Sequence, residues 1–104
     1  MAIQIINSTV KTQDGFDVQN PWVFVDQHMI GSTFASLRYY KSKQDYLDGN
    51  RQLNMAKLPA SVVMELTNSQ FWGESLAEDF HNKCIDEIEK VTGIGTCVID
   101  KTEF

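Results

Sequence analysis

Only two cysteines, Cys84 and Cys97, occur in the 104 residues, and neither belongs to a CxxC pair. Two thiols are too few for the disulfide framework of a small secreted domain. Two prolines, Pro21 and Pro59, and six glycines exclude collagen-like and low-complexity chains. Apolar runs are short, as in Trp22-Val23-Phe24-Val25, far below the roughly 20 residues of a membrane-spanning helix. Basic residues are also scarce: nine Lys and Arg stand against 14 Asp and Glu, a net charge of -5. Sequence-independent nucleic-acid binding needs a basic stripe that displaces counterions. The reading therefore expects no direct nucleic-acid partner and no membrane. The opening Met1-Ala2-Ile3-Gln4 has no basic stretch ahead of an apolar run. It predicts an intracellular chain, or one made there and built into something larger.

What is present suits an ordinary globular chain, with 42% hydrophobic and 22% charged residues. The length suits one domain over residues 1–104, with too little chain for two cores. Charge is uneven along it. Residues 1–64 hold six basic and five acidic side chains, a balance of +1; residues 65–104 hold three and nine, a balance of -6. An acidic C-terminal part suits solubility, a basic partner or a neighbouring copy's neutral half.

Alternation from Ile3 to Thr12 predicts a strand, followed by an Asp14-Gly15 turn and a return through Phe16-Asp17-Val18. Asn20-Pro21 opens a second turn. Trp22 to Ile30 and Thr33 to Tyr40 read as two strands joined at Gly31-Ser32, an antiparallel hairpin. Ser42, with Asp45 three residues on, predicts a short capped helix that Gly49 ends. Residues 50–57 read as loop or a brief strand, and Ala60 to Leu66 as a buried strand. Trp72, Leu76, Phe80, Cys84, Ile88 and Val91 are spaced 4, 4, 4, 4 and 3 apart. That spacing makes one apolar stripe on a helix capped by Asn68 or Ser69 and stopped by Gly93. Thr96 to Ile99 is the last strand. The expected fold is α+β: a mostly antiparallel sheet of four to six strands, with one long helix packed on one face.

Candidate chemistry competes with structural roles. His81 and Cys84, three apart on the helix, could share a metal ion with Cys97. A tetrahedral zinc site needs about four ligands, and the fourth would have to be a carboxylate. Core packing of Cys84, with His81 beside it and partly solvated, is the simpler reading. A catalytic thiol needs a positive neighbour, whereas Cys84 lies near Asp79, Asp86 and Glu87. The carboxylates Glu74, Glu78, Asp79, Asp86, Glu87 and Glu89 read as a solvated face, since acid/base pairs need burial to split them. Gly93-Ile94-Gly95 lacks the third glycine and following helix of a phosphate loop and reads as a turn. No catalytic residue, metal ligand or cofactor is assigned.

The aromatic residues carry more information. Trp22, Phe24, Phe34, Tyr39 and Tyr40 fall on the two hairpin strands, and Val23, Val25, Ala35 and Leu37 make the opposite faces apolar too. One covering helix leaves one sheet face wet. A two-sided apolar hairpin therefore predicts that the second face meets another chain. The alternative is a second layer made by residues 50–59 and the N-terminal strand. Trp22, Phe24, Tyr39 and Tyr40 are the candidate interface anchors. Arg38 is placed to pair with an acidic helix of a neighbouring copy.

Three segments give the chain a further likeness: Thr12-Gln13-Asp14-Gly15-Phe16, Asn20-Pro21-Trp22-Val23-Phe24-Val25, and the strand-to-helix run from Leu37 to Gly49. Over residues 3–50 this organisation resembles small virion structural proteins of tailed bacteriophages. The resemblance implies a non-enzymatic subunit that coats, joins or decorates a head or tail. It would occur in the virion, or in the host cytoplasm before assembly. The expected function is thus a structural or assembly subunit in a homo- or hetero-oligomer. The alternative is a small regulatory or ligand-binding domain with a pocket between helix and sheet.

Overall fold

A computed structural model describes residues 2–30, 32–64 and 74–101. The elements run β1 (Ala2–Ile5), β2 (Thr9–Lys11), β3 (Asp17–Gln19), β4 (Trp22–Ile30), β5 (Ser32–Tyr40), α1 (Lys43–Leu47), β6 (Ser61–Met64), α2 (Glu74–Thr92) and β7 (Cys97–Asp100). The fold is α+β. Five antiparallel strands stand in the order β6-β5-β4-β1-β7, and β2 and β3 form a separate two-stranded sheet. The long helix α2 packs on the large sheet.

The single strand expected from Ile3 to Thr12 is divided. Asn7 takes a φ of 51°, a left-handed conformation that asparagine tolerates better than most residues. The chain there leaves the large sheet and enters the small one. Asn20 has a φ of 52°, and its Oδ1 accepts a hydrogen bond from the Ser8 amide at 3.1 Å, which joins the two ends of the β2–β3 ribbon. At the ribbon's tip Gly15 has a φ of 86°, as the Asp14-Gly15 turn requires.

β4 and β5 pair along their whole length, from Trp22↔Tyr40 to Ile30↔Ser32. Gly31, between them, lies outside the described residues. Strand alternation places Val23, Val25, Ala35, Leu37 and Tyr39 on one face, in line with Ile3 of β1 and Val62 of β6. Against this face α2 lays Phe80, Cys84 and Ile88, all fully buried. Each large apolar side chain so buried contributes about 1.5–3 kcal/mol. Val10, Met55 and Leu58 close the same core, so the segment after α1 covers the helix side of the sheet.

Two departures concern burial within the expected elements. Val91, last of the predicted stripe, is 44% exposed and lines a groove beside β2 instead of the sheet core. Of the buried strand expected at Ala60 to Leu66, the described part is the edge strand Ser61–Met64, with Val62 buried and Val63 53% exposed; residues 65 and 66 lie outside the described residues. Asn68, Ser69, Phe71 and Trp72 lie outside the described residues. The Ser42 cap forms as expected, its Oγ accepting the Asp45 amide at 3.2 Å. No helix among the described residues is long and apolar enough to cross a membrane.

Candidate protein interface

The second sheet face carries Ala2, Gln4, Trp22, Phe24, Asp26, Arg38 and Tyr40. Its aromatic end is sealed by the chain itself. Tyr46, the one aromatic residue of α1, stacks on Phe24 with ring centroids 4.9 Å apart and an interplanar angle of 17°. It lies 5.0 Å from Trp22 and 5.2 Å, edge-on, from Tyr40. Trp22 is fully buried and Tyr40 nearly so. The Trp22 Nε1–H donates to Asp100 Oδ2 at 3.2 Å, and Lys43 Nζ lies 3.3 Å from the same oxygen.

These placements correct the expected interface. Trp22 and Tyr40 are covered by α1. Tyr39 is buried on the α2 face, where its hydroxyl donates to the Pro59 carbonyl. None of the three offers its ring to a partner in this form. Phe24 remains half-buried. Arg38 is exposed, but its Nη2 lies 2.6 Å from Asp26 Oδ2, so its carboxylate partner is in its own chain. An open face is expected where one long helix can cover only one side of the sheet; here the short α1 supplies a second cover. Its apolar residues are visible in the sequence, but its docking onto Trp22 is a tertiary event.

Beyond the Asp26–Arg38 pair, Ser61 and Val63 of β6 stand exposed on the second face. Phe34, half-buried, lies opposite Val63 on β6, with Ser36 and Ser61 adjacent. β6 is an edge of the sheet, and no described residue pairs with its outer side. The Leu37 amide donates to the Ala60 carbonyl at 2.8 Å. By antiparallel alternation Val62 then faces β5, while Ser61 and Val63 direct N–H and C=O outward. The sequence carries no mark of this sidedness, because Val62-Val63-Met64 is uniformly apolar.

The thiols are poorly suited to chemistry. Burial pushes Cys84 up to about 12, with Glu87 adding to the rise and Lys83 opposing it. Burial likewise pushes Cys97 up to about 11, helped by Glu89 and opposed by hydrogen bonds with Thr96 and Thr92. A thiol that resists ionisation is a weak nucleophile and a weak metal ligand. His81, expected to be partly solvated, is buried, because the apolar stripe of α2 is wide enough to take in its neighbour. Among the described residues no group of three His, Cys, Asp or Glu side chains is placed to hold a metal ion.

Two features lie at the end of the sheet where β1 finishes and β4 begins. A groove of about 400 Å³ runs between β2, residues 56–58 and the end of α2. Val10 and Leu58 form its buried floor, and Lys11, Lys57 and Val91 stand exposed along it. The Gly93-Ile94-Gly95 segment is a helix-to-strand turn, as expected, with Ile94 98% exposed at its tip. Comparisons with family models, curated proteins and solved structures find no match to this chain.

Proposed function

We propose that this chain is a non-enzymatic structural or assembly subunit that acts through protein–protein contacts. A multi-copy phage particle, in its head, connector or tail, is the setting that the resemblance of residues 3–50 implies. The observation that carries the reading is the β6 edge. Strand edges left unpaired recruit other strands, and proteins commonly defend them with charge, proline or a bulge. Ser61-Val62-Val63-Met64 has no charged residue and no proline, and it pairs with β5 without interruption of register. Beside the edge, Val63 offers apolar surface. Backbone pairing would supply affinity and this side chain specificity, the mode by which an added strand extends a sheet. The buried hairpin aromatics lend this reading no support.

Hydrogen exchange tests it. In the isolated subunit the Ser61 and Val63 amides should exchange quickly. On association, with its own kind or in a particle from its native source, they should become protected. Val63→Lys should abolish association through the β6 edge and leave the melting temperature within about 4 °C, since exposed positions shift stability by about 0.5 kcal/mol or less. A chain that stays monomeric at high concentration, and that occurs in no particle, would overturn the reading.

A second reading, a small ligand-binding domain, is favoured by the groove, whose roughly 400 Å³ falls within the 300–1,000 Å³ typical of ligand pockets. A saturable thermal shift with a metabolite, without association, would decide for it.

A further inference from the structure

The groove and the Ile94 turn belong together. Ile94 stands on a built support. Gly93 and Gly95 take φ values of 106° and 82°, which glycine alone adopts easily. The Gly93 amide donates to the Glu89 carbonyl at 2.8 Å, and the Gly95 amide to Glu89 Oε2 at 2.8 Å. Thr96 Oγ1 donates to the Gly93 carbonyl and lies 2.6 Å from Thr92 Oγ1. The two residues that the turn needs are the glycines. Nothing in its bonding calls for an apolar side chain between them, yet isoleucine is there and faces solvent.

One helical turn earlier, Val91 lines the groove. Knob and groove therefore adjoin each other at one end of the molecule. The groove suits a protein better than a small molecule. Small-ligand sites bury about 70–90% of their ligand, whereas Thr9, Lys11, Ala56, Lys57 and Val91 leave this one open along its rim. Thr9 also turns its backbone N–H and C=O away from β3, on the edge where Lys11 accepts the Ala56 amide at 3.2 Å. Charge is complementary across the two features. Lys57 stands exposed on the groove, Lys11 beside it is held by Asp17 of its own chain at 2.9 Å, and the Glu89 carboxylate braces the knob. The same sign difference separates residues 1–64, at +1, from residues 65–104, at -6.

We infer that two copies of this chain associate about a two-fold axis near Val91, the Ile94 turn of each seated in the groove of the other and Glu89 facing the partner copy's Lys57. A two-fold contact of this kind is self-complementary and closes at two subunits. The inference rests on the reading of the chain as an assembly subunit, but it uses a surface separate from β6.

Sedimentation of the 104-residue chain tests it. The wild-type chain should be dimeric or larger at about 100 µM, and Ile94→Asp should weaken the groove contact tenfold or more. Ala56→Trp, which fills the groove from an exposed position, should do the same. Mixing the two variants should give a heterodimer tighter than either variant's own dimer, because Ile94 of the Ala56→Trp chain still finds the open groove of the Ile94→Asp chain while only the reciprocal contact stays broken. Val63→Lys should leave this dimer intact. A wild-type chain that is monomeric at that concentration, an Ile94→Asp dimer of unchanged strength, or variants that associate no more tightly when mixed than alone would overturn the inference. Association lost with Val63→Lys but kept with Ile94→Asp would overturn it while leaving the β6 reading standing.

Discussion

Three ionisable side chains in the core share one direction of shift. Burial raises Cys84 and Cys97, and it raises the Tyr39 hydroxyl above its usual range, with both thiols contributing. Each is neutral when protonated. As pH rises past about 9, the unfolded chain releases thiol protons that the native chain still holds. The native state then binds more protons, so stability falls with rising pH. The contribution is fully present below the unfolded value and is lost on the way to the folded values of about 11 for Cys97 and about 12 for Cys84. For a fully withheld proton the slope approaches about 1.4 kcal/mol per pH unit. Urea midpoints should therefore decline between pH 9 and 11, less steeply in Cys84→Ala, and both thiols should react slowly with a thiol reagent at pH 8 until the chain is unfolded. A midpoint that holds or rises over that range would contradict the burial argument. Position decides magnitude elsewhere too. Phe80→Ala removes a fully buried ring and should cost about 3–5 kcal/mol in urea unfolding, whereas the exposed Asp26–Arg38 pair should be worth about 1 kcal/mol or less.

Among elements, α1 has the most influence for its size. It is five residues long and has no buried residue of its own, far shorter than an isolated helix that holds itself in water. It persists because Ser42 caps it and because Tyr46 fits among Trp22, Phe24 and Tyr40. Removing that ring should uncover the indole. In a Trp72→Phe background, where Trp22 is the remaining tryptophan, Tyr46→Ala should shift emission to the red and raise quenching by acrylamide. Emission unchanged by the substitution would mean that other groups seal this face. The helix α2 works differently. Its fully buried Phe80, Cys84 and Ile88 anchor it, and its final turn carries Val91 and the support of Ile94 out to the surface.

At the scale of the whole molecule, the two proposed contacts sit apart on a body 43 Å long. The β6 edge lies toward the β4–β5 tip, and the Ile94 turn lies where β4 begins. A subunit with two separate contacts builds beyond a dimer. Single substitution at Val63 or Ile94 should therefore leave discrete small species, and the double variant should be monomeric by light scattering. The α+β fold was legible from residue pattern alone. Alternation marked Trp22–Ile30 and the strand ending at Tyr40, the four-residue spacing marked Phe80, Cys84 and Ile88, and Ser42, Gly15, Gly49 and Gly93 marked caps and turns. These signals are local, because backbone geometry ties side-chain direction to sequence spacing. They report which face is apolar, and they are silent on what covers it. The tertiary structure decided that Tyr46 seals Trp22, that Val63 looks outward while Val62 is buried, that Asn7 divides the first strand, and that Ile94 stands beside a groove. Each of these depends on segments distant in the chain meeting in space, and periodicity within one segment carries no record of that meeting.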